Sequence, residues 1–130
     1  MWPKKSILAL LAYCSFGACA HPIADNVNMP LAGSEWGARV KGQYIQFTEG
    51  GIVRGHGACN RFSGTYNQDG NRLTIGPLAS TKMACAHLSQ EQEFFRILAQ
   101  TRQAEISHQQ LVLINQHGDT LLTLQRRDWD

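Results

Sequence analysis

From Ala32 onward the chain is cut into short β-favouring runs by glycine and Asn/Asp turns, which confines it to a mostly antiparallel β fold. Residues 44–47 and 52–55 flank Glu49-Gly50-Gly51 as a hairpin, and residues 61–66 and 72–75 are joined through Asp69-Gly70, a pair that tolerates positive φ. Between Gly76 and Leu88 the pattern lapses, and Pro77 argues against a central strand there. Ser89 and Gln92 form an S-x-x-Q capping box, Glu91 and Glu93 suit the positive end of the helix dipole, and Phe94, Ile97 and Leu98 mark one apolar face through about Gln100. Strands are expected again at 104–107, 111–115 and 121–125, with His117-Gly118-Asp119 as the last turn. The expectation is an α+β, mostly β domain: an antiparallel sheet of seven or eight strands, curled into a partial barrel, with one amphipathic helix.

The first residues stand apart from this domain. Lys4 and Lys5 precede the short apolar stretch 6–13, far below the ~18 residues of a membrane span, so residues 1–18 have the form of a signal peptide. Phe16-Gly17-Ala18-Cys19 has the form of a lipobox, in which Cys19 is acylated and becomes the N-terminus. The alternative is cleavage after Ala20 at Ala18-Cys19-Ala20, which would release a soluble periplasmic or secreted protein beginning at His21. Residues 19–31 are expected to be a tether, and residues 32–127 the domain. Without Lys4 and Lys5, ten Lys and Arg face ten Asp and Glu, so the mature chain is neutral and lacks the basic stripe that nucleic acid demands. The adjacent Arg126 and Arg127 are expected to be a solvated strand end.

Export places Cys59 and Cys85 where thiols oxidise, and a disulfide between them is the default. The rival is a metal centre made from His56, Cys59, Cys85 and His87, a tetrahedral set if the thiols stay reduced. Asn60 and Arg61 could orient an anionic ligand. The structural reading is a corner: Asn tolerates left-handed backbone, the Arg61 stem covers apolar surface, and Gly57 and Gly64 allow close approach of strands. Thr81 is expected to satisfy loop backbone, and Met83 to fill a core gap beside the disulfide. No nucleophile elbow, HExxH, Walker loop or dinucleotide fingerprint is present, so the sequence supports neither an enzyme nor a cofactor.

The stretch Gly57-Ala58-Cys59-Asn60-Arg61-Phe62-Ser63-Gly64, followed by Ala79-Ser80-Thr81-Lys82-Met83-Ala84-Cys85, resembles the META domain family, the HslJ-like heat-shock lipoproteins. The helix from Glu91 to Leu98 and the closing pattern at Leu111, Leu113, Gly118 and Leu121 are similar too, so the likeness spans residues 31–124. At the start the family's fuller W-x-L strand is replaced by Trp36-Gly37-Ala38, and His56 and His87 are not part of the family pattern. The resemblance implies a small β-rich domain with one helix, often lipid-anchored in the bacterial envelope, linked to stress and without established catalysis. A similarity in build to pilotin lipoproteins implies a peptide or lipid partner by fold analogy.

The resulting expectation is a non-catalytic outer-membrane lipoprotein facing the periplasm, which binds or stabilises another envelope component under stress. Ala20, rather than Asp, follows Cys19, which by resemblance to lipoprotein sorting rules does not retain it at the inner membrane. The alternative is a small-ligand or metal-binding periplasmic module, and a purely structural envelope protein is a third reading.

Overall fold

Alternation of apolar and polar side chains puts every second residue of most strands inside, as in β2, where Gln43, Ile45 and Phe47 are buried between half-exposed neighbours. A computed structural model describes residues 29–127; the leader, Cys19 and most of the tether lie outside the described residues. The elements are β1 (Ser34–Gly37), β2 (Gln43–Phe47), β3 (Ile52–Gly57), β4 (Arg61–Asp69), β5 (Arg72–Ile75), β6 (Ala79–Ser80), α1 (Leu88–Gln100), β7 (Gln103–Ile106), β8 (Gln110–Ile114) and β9 (Thr120–Arg126).

Eight strands close into an antiparallel barrel in the order β1-β2-β3-β4-β5-β7-β8-β9 and back to β1, which leaves the ring without an open edge. The ninth, β6, lies beside β4 outside the ring, through the pairs Phe62↔Ser80 and Ser63↔Ala79. Two seams are thin. β1 meets β9 at Trp36↔Arg126 and Gly37↔Gln125, and β5 meets β7 at Arg72↔Gln103, prolonged by Leu73 N–H to Arg102 O at 3.0 Å. Trp36, Phe47, Val53, Phe62, Leu73, Leu111, Leu113 and Leu124 fill the interior, joined by Phe94, Ile97 and Leu98 of α1. Trp36 is fully buried and donates its indole N–H to Ser34 Oγ at 2.7 Å, so its polar end is satisfied.

The expected hairpins are present, with Gly51 and Gly70 both at positive φ. β4 runs three residues further than expected, to Asp69, because Asn67 and Gln68 continue the ladder opposite Thr74 and Leu73. Its first half pairs with β3 and β6 and its second with β5. The chain jogs between β5 and β6 at Pro77, as a residue without an amide donor requires. Gly64 admits that jog: a Cβ there would lie 2.8 Å from Pro77 O.

Three expectations need correction. Leu31, placed in the tether, is fully buried, and its N–H donates to Gln68 Oε1 at 2.8 Å; Met29 also packs on the core, so the packed domain begins by Met29. Arg126 and Arg127 are not merely solvated: Arg126 stacks over Trp36 at 5.2 Å, while Arg127 stacks over Tyr44 at 4.5 Å and pairs with Glu35 at 2.8 Å. The capping box does not form. The helix begins at Leu88, with His87 at the N-cap making no side-chain bond, and the Ser89 hydroxyl donates to Gln90 Oε1. The turn Cys85–Leu88, closed by Leu88 N–H to Cys85 O, starts the helix before Ser89 can cap it.

Candidate functional site

The corner between β3 and β4 is where the family-like residues gather. Ala58 has φ of 109°, a left-handed conformation that favours glycine, and its N–H donates to His56 Nδ1 at 3.2 Å. The left-handed residue is therefore Ala58 and not Asn60, whose side chain has another task. The bend turns two consecutive amides, Cys59 N–H and Asn60 N–H, onto one oxygen of Glu91, at 2.9 and 2.7 Å. Asn60 Nδ2 reaches the other Glu91 oxygen at 2.6 Å. A helix carboxylate thus fills the anion-binding hollow that the corner creates.

Asn60 is equally saturated on its far side. Its Oδ1 accepts from the Thr81 hydroxyl at 2.9 Å and Met83 N–H at 2.7 Å, and its Nδ2 also donates to Met83 O at 2.9 Å. The carboxamide makes all four of its bonds. Thr81 thus bonds a side chain rather than the loop backbone. Met83, gripped by both backbone groups, points outward and is 64% exposed, so it does not fill the core beside the disulfide. Glu91 is 2% exposed. Burial pushes its carboxyl up, but the Asn60 side chain, the Cys59 and Asn60 amides and nearby His56 outweigh that and hold it below the ordinary glutamate value.

Cys59 and Cys85 are joined in a disulfide, with Cα atoms 5.7 Å apart. Both sulfurs of the His56, Cys59, Cys85, His87 set are thereby taken. Among the described residues no group of three or more His, Cys, Asp or Glu side chains is placed to hold a metal.

The same corner raises one wall of a groove of about 510 Å³ on the outer face of β2, β3, β4 and β6. Arg61 and Ser63 come from the motif, Ala79 to Thr81 from β6 and the loop it enters, and Tyr44, Gln46 and Arg54 from the outward positions of β2 and β3. Gly55 and Phe62 lie at its floor. A Cβ on Gly55 would stand 2.1 Å from Tyr44 O and 2.9 Å from Phe62 Cζ, so only glycine permits the close strand approach here. Phe62 is held from inside by edge contacts to Phe94 and Phe95 at 6.1 and 5.3 Å. Arg61 is exposed along the groove.

No acidic side chain lines this groove. The acid that flanks it, Glu35 opposite Gln46, is engaged by Arg127. The Arg54 and Arg61 side chains have no hydrogen-bond or ion-pair partner among the described residues. Sequence reasoning singled out Arg61 and Ser63 but not Tyr44, Gln46 or Arg54. The available signal was period-2 alternation, which puts 44 and 46 on one face and 54 and 56 on the face that pairs with it.

The META domain family model matches residues 31–128. No curated protein matches the chain. Among solved structures, an NMR structure of a protein from Burkholderia xenovorans is 22% identical, with a TM-score of 0.63 over 88% of this chain and 99% of that one. A second NMR structure is 24% identical, with a TM-score of 0.57 over 75% of this chain and 90% of that one. A crystal structure of a DUF4847-family protein from Bacteroides vulgatus is 22% identical, with a TM-score of 0.56 over 68% of this chain and 62% of that one. At these identities the likeness concerns the fold.

Proposed function

The chain belongs to the META domain family, and from that premise we propose that it is a non-catalytic binding module of the bacterial envelope, holding another envelope component in the Tyr44–Arg61 groove. One observation carries the reading: the motif by which the family is recognised is built into the wall of that groove. Glu91 and Asn60 fasten the corner and the Thr81–Met83 segment from within, which fixes the positions of Arg61, Ser63 and Thr81 at its surface. A rigid inner frame under an exposed, chemically mixed surface suits recognition.

The non-catalytic part of the proposal rests on the family resemblance, which implies no established catalytic activity. Anchoring through Cys19 at the outer membrane, with the domain facing the periplasm and serving under stress, is supported by the leader sequence and the family resemblance. A soluble form cleaved after Ala20 is the alternative. The groove's volume also suits a small molecule, which is the second reading.

The test is photo-crosslinking in living cells, with benzoylphenylalanine placed at Ser63, at Gln46 or, as a control, at Thr74 on the exposed face of β5. Discrete adducts from the two groove positions, and none from Thr74, are expected. Equal adducts from all three, or none from the groove, would remove the groove as a binding site.

A further inference from the structure

We infer that the groove takes an extended segment of a partner protein carrying two carboxylates two residues apart, in the pattern Asp/Glu-x-Asp/Glu, with Arg54 and Arg61 as their receptors. This inference rests on the binding reading above and names its ligand chemistry. Arg54 faces Ser63 across the β3–β4 ladder, and Arg61 lies two residues from Ser63 on the same face. The arginines are therefore diagonal neighbours, with Cβ atoms roughly 7–8 Å apart or somewhat less. Two arginines rooted that close on one face can both turn to a ligand that brings two negative charges. His56, opposite Arg61 and Tyr44, is on the same face, Lys82 follows Thr81, and Glu35 is occupied by Arg127. The local field is positive although the mature chain is neutral.

Geometry selects the form of the ligand. In an extended chain, residues i and i+2 point the same way and lie about 6.6–6.8 Å apart, which matches the arginine pair. Neighbours i and i+1 point to opposite faces and cannot serve both. From β2 to β6 the groove crosses three strand intervals of about 4.8 Å, close to 14 Å, the length of about four extended residues. Arg54, Arg61, Ser63, Ala79 and Thr81 are all exposed, so a free small anion would stay largely solvated and screened. A segment gains from both arginines together and from Tyr44, Gln46 and Ser80 along its path. The guanidinium fork suits each carboxylate in two-point contact.

The experiment uses the full chain in a non-ionic detergent and fluorescence polarisation with labelled Gly-Glu-Ser-Glu-Gly. Controls are Gly-Glu-Glu-Ser-Gly, of equal charge, and Gly-Gln-Ser-Gln-Gly. The first peptide is expected to bind about 10-fold or more tightly than the uncharged one, and more tightly than the equal-charge control. Arg54→Gln and Arg61→Gln should each weaken it about 3- to 5-fold, and Arg72→Gln, on β5, should not. Equal affinity for the two acidic peptides, with displacement of both by millimolar inorganic phosphate, would overturn the inference in favour of a plain anion site. No difference from the uncharged peptide would overturn it outright. The two proposals fail separately: if Ser63 crosslinks persist in the Arg54→Gln/Arg61→Gln double variant, the groove remains a binding site and the acidic ligand is wrong.

Discussion

Glu91 Oε1 accepts the backbone N–H groups of both Cys59 and Asn60, at 2.9 and 2.7 Å, across a sequence gap of more than thirty residues. This contact ties the helix to the β3–β4 corner, and through the Asn60 carboxamide it extends to Thr81 and Met83. Helix, corner and loop therefore share one buried carboxylate.

Glu91→Gln should destabilise the protein by about 2 kcal/mol at pH 7, because a glutamine keeps one acceptor but turns its amide donor against Asn60 Nδ2. The pH profile separates charge from packing. The folded-state carboxyl lies below the ordinary value of 4.5, so the stability Glu91 adds is complete above that value and is lost as pH falls through the lower folded-state one. Urea titrations across that acid range should show a drop in the natural protein that is shallower in the glutamine variant. Parallel drops would mean that other carboxylates govern acid unfolding.

Removing the Cys59–Cys85 cross-link should lower stability by about 3.5 kcal/mol, the chain-entropy estimate for a 26-residue separation. The barrel itself should survive, because Met83 remains bound to Asn60 and no ladder includes Cys85. Matched Cys59→Ala/Cys85→Ala and reduced samples, compared by denaturant midpoint and amide NMR, check this. Local shifts confined to the corner and residues 81–87 are expected, and collapse of the whole spectrum would contradict it.

Gly55→Ala should be far more damaging than a surface change, costing on the order of 3 kcal/mol or more. The added methyl meets the peptide unit of β2 that joins Tyr44 to Ile45, at Tyr44 O 2.1 Å and Ile45 Cα 3.0 Å away, where nothing can rotate aside. Gly50→Ala, whose Cβ meets nothing within 4 Å, is the control. Similar unfolding midpoints for the two variants would show that β2 and β3 can separate here.

The outline of the barrel was legible because its signals are local: Gly51, Gly70 and Gly118 each sit at positive φ in a turn anticipated from their neighbours. Closure was not, since it depends on short ladders such as Trp36↔Arg126 that join the two ends of the domain. The site divides in the same way. Cys59 and Cys85 were readable as a pair once export was expected, whereas Glu91 looked like an ordinary first-turn acid and Met83 like core. Only the fold brings Glu91 under the corner and lets Asn60 turn Met83 outward. Composition concealed the groove as well, because the balance of ten Lys and Arg against ten Asp and Glu beyond Lys4 and Lys5 hides that Arg54 and Arg61 lie side by side with no acid between them.

The anchor is tested by Cys19→Ser, with membrane fractionation and labelling by an alkyne-tagged palmitate. Among the described residues no helix is long and apolar enough to cross a membrane, and acyl chains on Cys19 would supply the stable attachment of the anchored form. More than one chain is needed, because a single chain gives only marginal, reversible binding. The natural protein should therefore carry label and sediment with membranes, and Cys19→Ser should lose both together. The substitution lies outside the described residues, and the unfolding midpoint is expected to stay put, which separates loss of the anchor from loss of the fold. Release at His21 predicts instead an unlabelled protein whose soluble fraction is indifferent to the change at Cys19.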